Sequence, residues 1–375
     1  MFRYIKILAV IGMVLTCFAV PGQSQHPETL KLGASAPDFN LKGIDGKNYN
    51  LKSFASSTVL AIVFTCNHCP TAQAYEERIK KITSDYRDKK VALIAISSND
   101  PQAIRLDELG YTDLSDTYEE MQIRAKDMAY NFPYLYDGDN QSTALAYGPV
   151  ATPHIFIFDK ERKLRYNGRI DDVEKPTGTP KNNDARNAID ALLADQPVTV
   201  GTTKTFGCSM KWISKEQGVQ KEQAGWAKEA VNLETIDEAG LKELIKNKSD
   251  KLRLINVWAT WCGPCVTEFP DFMTIYHMYR NRDFEFISIS ADSPDKKDKA
   301  LKFLTGKFAS NKNYIFNSDD KYKLIEAVDP KWQGALPYTL LVEPGGKIVY
   351  AAQGPIDPHQ IKRMIVDNKL IGRYY

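Results

Sequence analysis

Mostly apolar runs alternate along the chain with amphipathic segments, and the order is the same in each half. In the first half Thr58–Thr65 and Val91–Ser97 are β-rich runs of the kind buried on both faces of a sheet. Ala36–Leu41 and Gly46–Leu51 ahead of them are expected to pair as a hairpin, turning at Asp45-Gly46. Thr71–Tyr86 and Thr117–Tyr130 read as helices, the second with Met121, Ala125, Met128 and Ala129 as its apolar positions. Phe132–Tyr136 is a short extended segment, His154–Phe158 and Leu164–Gly168 a terminal hairpin, and Asp184–Ala194 a closing helix. Asp171–Asn183, broken by Pro176, Gly178 and Pro180, reads as a loop.

The second half repeats the order. Asp237–Asn247 is a helix, Leu252–Trp258 a strand, Cys262–Arg280 a helix and Phe284–Ser290 a strand. Helices at Lys296–Phe308 and Lys321–Val328, a hairpin from Tyr338–Val342 and Lys347–Tyr350, and a helix at Pro358–Asn368 complete it. The pattern predicts an α/β protein of two domains, 30–196 and 233–375, each a mixed central sheet flanked by helices. Residues 197–232, rich in Lys, Gln, Glu and Gly, read as a linker whose 215–231 part is a solvated helix.

At the strand-to-helix junction of each half stands a CxxC. In the second half it is Trp261-Cys262-Gly263-Pro264-Cys265. Unpaired N–H groups and the helix dipole at a helix start favour an anion, which suits Cys262 as an attacking thiolate. Pro264 falls in the first turn, where no N–H is needed. In the first half the motif is Cys66-Asn67-His68-Cys69. An imidazole inside the loop is expected to stabilise the Cys66 thiolate, making this disulfide the more oxidising and drawing electrons from the second domain to the first. Each motif is followed by a proline opening a strand: Pro153 lies 153 − 66 = 87 residues after Cys66, and Pro337 lies 337 − 262 = 75 after Cys262.

With Glu268, Phe269 and Pro270 behind it, the second motif resembles the TlpA/ResA-type thiol–disulfide oxidoreductases of the thioredoxin fold. The first half, with Phe64–Pro70, Ser97–Asp100 and Leu164–Asp172, resembles the peroxiredoxin-like branch of the redoxin/AhpC-TSA superfamily. The resemblance implies two thioredoxin-like domains in tandem, with cis-prolines at Pro153 and Pro337 beside the dithiols. It also implies that Cys262 attacks and Cys265 resolves, with Trp261 and Pro337 shaping a docking surface. Thioredoxin itself holds a buried acid six residues before the first cysteine. Here that residue is Asn256, which cannot take a proton, and Glu268 replaces it as the acid that deprotonates Cys265 if desolvated.

Thiol–disulfide exchange with protein substrates through Cys66–Cys69 and Cys262–Cys265 is therefore the expected activity. Two alternatives stand beside it. Cys69-Pro70-Thr71 can be laid over a peroxiredoxin's Cys-Pro-Thr, although the threonine such enzymes hold three residues earlier would fall at Cys66. Cys66, Cys69 and a histidine could also hold Cu(I), which soft thiolates select. Cys208, near the domain junction, is either an inert thiol or a relay between the two sites.

The composition adds limits. A net charge of +2 over 375 residues leaves no electrostatic footprint for nucleic acid. No flavin, nicotinamide or metal motif is visible, so the redox disulfides are the expected cofactors and electrons must come from a membrane or extracytoplasmic donor protein. Arg3 and Lys6, then apolar Ile7–Val20, then polar residues to Ser24 have the order of a secretory signal, 1–24, and predict a periplasmic protein. Lipid anchorage at Cys17 is the lesser alternative, because Val14-Leu15-Thr16 makes a poor lipobox.

Overall fold

The computed structural model describes residues 27–374, so the signal-like segment and Cys17 lie outside the described residues. The first half contains β1 (Leu41–Gly43), β2 (Asn48–Tyr49), β3 (Val59–Thr65), α1 (Pro70–Asp85), β4 (Val91–Ser97), α2 (Tyr118–Asp127), β5 (Tyr134–Tyr136), α3 (Ser142–Tyr147), β6 (Ala151–Thr152), β7 (His154–Phe158), β8 (Leu164–Gly168) and α4 (Asp184–Leu193). Its sheet runs β2-β1-β5-β4-β3-β7-β8. β3 lies inside the sheet, parallel to β4 and antiparallel to β7, and every one of its residues is buried.

After β9 (Cys208–Ser209) and α5 (Glu216–Trp226), the second half contains β10 (Glu234–Ile236), α6 (Glu238–Ile245), β11 (Leu252–Trp258), α7 (Gly263–Tyr279), β12 (Phe284–Ser290), α8 (Lys297–Gly306), β13 (Lys312–Phe316), α9 (Lys321–Val328), β14 (Tyr338–Glu343), β15 (Lys347–Gln353) and α10 (Pro358–Asp367). The sheet order is β10-β13-β12-β11-β14-β15, with β11 in the place that β3 holds in the first sheet. Helix starts follow local chemistry: Thr117 and Glu120 form a capping box on α2, and Asp237, Asp320 and Asp357 cap α6, α9 and α10.

The stretch expected to be a linker folds instead onto the first half. Val198 and Phe206 pack on its core, and Met210 and Trp212 are buried beside Phe39, Leu60 and Phe158. β9 pairs antiparallel with β6, while the Lys211 N–H donates to Asn99 Oδ1. Averaged composition hides these few apolar residues among lysines and glutamines. Only α5 has the exposed character expected, with Val219 as its buried residue.

The halves are joined by residues 104–113 of the first. Ile104 and Leu109 are part of the second half's core, and a Cβ on Gly110 would stand 2.9 Å from the Met278 carbonyl oxygen. Tyr279 Oη donates to Thr112 O (2.8 Å), and Arg282 donates to Gly110 O (2.8 Å). Asp113, fully buried, accepts from Arg363 (3.0 Å) and Arg373 (2.8 Å).

Candidate active site

In the second domain the chain leaves β11, turns through Ala259–Trp261 and enters α7 with Cys262 as the N-cap. Cys262 Sγ accepts from the Cys265 N–H (3.3 Å) and is disulfide-bonded to Cys265. Trp261 is 64% exposed, although it follows a wholly buried strand. The Leu336-Pro337 bond is cis, and Pro337 leads directly into β14, the neighbour of β11.

Glu268 lies one helical turn after Cys265 and is buried. Its Oε2 accepts from the Ile356 N–H (2.9 Å), and Asn256 Nδ2 faces Oε1 at 3.5 Å. Burial pushes its pKa up to about 7, against these two hydrogen bonds. Asn256, dismissed from the sequence as unable to take a proton, has a different part: it bridges Glu268 and Thr339 Oγ1 (3.2 Å), orienting the carboxyl.

The first domain repeats this geometry with a displaced motif. Thr65 pairs with Ser97, four residues before Cys69, and Trp258 pairs with Ser290, four residues before Cys262. Val63 faces Ile155, two residues after cis-Pro153, and Asn256 faces Thr339, two residues after cis-Pro337. Cys69 is also the N-cap of α1, with Pro70 at the helix start. Matching first cysteine to first cysteine was therefore wrong in register: the counterpart of Cys262 is Cys69, and Cys66 precedes the helix by one further turn of chain.

This changes which sulfur carries charge. Cys66 is buried, and desolvation together with the neighbouring Cys69 and Asp116 pushes its thiol up. Burial works against a Cys69 thiolate as well. Hydrogen bonding from Cys208 and Cys66 and the charge of His68 outweigh it and bring Cys69 well below the ordinary thiol value. The expectation that His68 stabilises a Cys66 thiolate is corrected accordingly. His68 Nδ1 is bound to Asp116 Oδ2 at 2.6 Å, and burial of its cation is outweighed by that carboxylate, so its pKa is raised. Asp116 also accepts from the N–H groups of Asn67 and His68 and from Asn99 Nδ2. Asp116 was not singled out from the sequence, because its pairing with His68 spans 48 residues, whereas Asn99 stands in the Ser97–Asp100 run already noted.

Cys66, His68 and Asp116 offer ligand atoms within 4.8 Å of one another, a group that could hold a metal ion. The set joins a hard carboxylate to one thiolate, and Asp116 is already committed to four donors, which is a poor match for Cu(I). The two dithiols are not brought together. Cys262 caps one end of a 17-residue helix whose other end, Tyr279, touches the first domain, a span of about 25 Å at 1.5 Å per residue.

Residues 32–167 match the AhpC/TSA family, and residues 235–370 match Redoxin. Each half of the chain is thus a domain that matches a redoxin/AhpC-TSA family model. Two redoxin-type domains thus follow one another, each with its cysteine N-cap and cis-proline. The chain is similar to the thiol–disulfide oxidoreductase ResA of Bacillus anthracis, 28% identical over 142 residues, 38% of this chain and 78% of that protein. The ResA of Bacillus subtilis (strain 168) is 25% identical over 141 residues, 38% of this chain and 74% of the relative. Among solved structures, a hypothetical protein from Sinorhizobium meliloti 1021 is 35% identical, covering 50% of this chain and 97% of that one, with a TM-score of 0.45. Among the described residues no helix is long and apolar enough to cross a membrane.

Proposed function

We propose that the protein is an exported reductant of protein disulfides, with Cys262–Cys265 as its client-facing centre. It is a thiol–disulfide oxidoreductase, and the observation that carries the finer reading is the Cys262–Cys265 pair at the start of α7 with Glu268 buried one turn below. In the dithiol form the Cys262 thiolate attacks a client disulfide and releases one client thiol. Cys265 gives its proton to Glu268 and attacks Cys262 Sγ, closing the disulfide and releasing the second client thiolate. Exposed Trp261 and cis-Pro337 supply the docking surface. A donor protein outside the chain then restores the dithiol.

The test is reduction of a disulfide-containing protein by the full chain with dithiothreitol as electron source. Turnover is expected in the wild type and is lost in Cys262→Ser, whereas Cys265→Ser accumulates a mixed disulfide with the client. A Cys262→Ser chain with undiminished turnover overturns the assignment.

Peroxide reduction is the second reading for the first domain. It is favoured by Cys69 at an N-cap, its charge stabilised, with Pro70 and Thr71 behind it. Consumption of hydrogen peroxide by the reduced chain, abolished by Cys69→Ser, is its test.

A further inference from the structure

The first domain holds three sulfurs in contact. Cys66 Sγ is 3.3 Å from Thr152 Oγ1, and as a thiol Cys69 donates to Thr152 O (3.4 Å). Cys208 also reaches Cys69: its N–H donates to the Cys69 sulfur at 3.4 Å, and its side chain packs on the buried cluster of Cys66, Cys69 and Ala72. The third cysteine arrives on a built element. β9 pairs with β6, with Thr152 opposite Cys208, immediately before cis-Pro153. Gly207 has φ +124, and a Cβ there would lie 2.1 Å from Thr152 O, so only glycine lets the strand approach this closely. Exposure divides the three: Cys66 and Cys69 are 2% and 0% exposed, while Cys208 is partly open to solvent.

We infer that Cys208 is the gate thiol of the first domain, exchanging into a Cys69–Cys208 disulfide through which external dithiols reach the buried pair. The inference rests on the thiol–disulfide reading of the chain. Starting from a Cys66–Cys69 disulfide, Cys208 gives up its proton and its sulfur attacks Cys69 Sγ. The Cys69–Cys208 bond forms, the Cys66–Cys69 bond breaks, and Cys66 leaves as the thiolate and takes a proton. The number of disulfides is unchanged and no oxidant is consumed. One thiolate of a client dithiol then attacks the Cys208 sulfur and releases Cys69 as the thiolate. The second client thiolate attacks the first client sulfur, so the client leaves oxidised, Cys208 regains its proton, and the two electrons stay with the Cys66 and Cys69 thiols. The same steps reversed pass electrons outward.

The surroundings of Cys69 fit this part. The Cys208 N–H donates to its sulfur at 3.4 Å, and the Cys66 thiol packs beside it. Neither is consumed when Cys208 Sγ bonds to Cys69, so Cys69 is the good leaving group that the client's attack requires.

The experiment uses the full chain with Cys66→Ser, equilibrated in glutathione buffers, acid-quenched, alkylated, digested and mapped by mass spectrometry. A Cys69–Cys208 cross-linked peptide in most chains is expected, and it must vanish when Cys208→Ser is added. Cys208 left as a free thiol while Cys69 is free or glutathionylated overturns the inference. On the reduced wild type, Cys208 is expected to alkylate at least tenfold faster than Cys66 or Cys69, and equal rates likewise overturn it. The wild-type digest separates this from failure of the parent reading. Were neither Cys66–Cys69 nor Cys262–Cys265 to form, the exchange function itself would fall. Were both to form without the Cys69–Cys208 peptide in the variant, only the gate would fall.

Discussion

Cys69 and Cys262 hold the same station in their two sheets, each four residues beyond the strand residue that faces a buried serine, Ser97 in one and Ser290 in the other. Each caps a helix, yet its partner lies on opposite sides in the chain: Cys265 three residues after Cys262, Cys66 three residues before Cys69. One fold position thus carries a helix-capping cysteine whose CxxC partner lies within the helix in one domain and in the preceding loop in the other.

Glu268→Gln is expected to slow client release by about 100-fold near neutral pH, since the proton acceptor for Cys265 is gone. Stability should move the other way. The Glu268 pKa is raised from 4.5 to about 7, so the folded state binds the proton more tightly and stability falls as pH rises through that window. The variant should match the wild type at pH 4 and exceed it at pH 8 by about 1–2 kcal/mol. Urea midpoints at the two pH values measure this, and a variant less stable at pH 8 would contradict it.

Asp116→Ala leaves the N–H groups of Asn67 and His68, the His68 ring and the Asn99 amide without their acceptor. A loss of about 3 kcal/mol is expected for such a buried deletion. The milder Asp116→Asn reports on charge. The folded His68 pKa is raised, so its ion pair contributes fully below the ordinary histidine value and is lost as pH rises through the raised one. The gap between wild type and Asp116→Asn should therefore narrow at alkaline pH; a gap that widens there would refute the charged pair.

Asp113→Ala removes the acceptor of Arg363 and Arg373 at the contact between halves. Both arginines are partly exposed, so the cost is about 2 kcal/mol rather than that of a fully buried pair. Calorimetry should show the two domains melting further apart than in the wild type, while Cys262-dependent turnover is kept.

Much of this architecture was legible in the sequence, because β3, β4, β11 and β12 are buried on both faces and so appear as apolar runs. β10 and β13 escaped: each is short, and exposed polar residues such as Glu234 and Lys312 interrupt the pattern. Glu268 is buried, the condition its place behind the CxxC set for a proton acceptor. The register of Cys69 was not legible, because spacing counts residues from the first cysteine, whereas the sheet aligns them by strand pairing. The packing of 197–212 was hidden for a related reason: β9 is only two residues long and owes its place to a partner more than fifty residues upstream.

Gly207 is what lets the segment behind it close over the buried sulfurs. With only a hydrogen at this position, the strand lies against the loop of cis-Pro153. Any side chain would push it off Thr152, draw Cys208 away from Cys69 and lay the pair open to solvent. The seal over the first site therefore hangs on a single hydrogen atom, and Gly207→Ala is expected to break it.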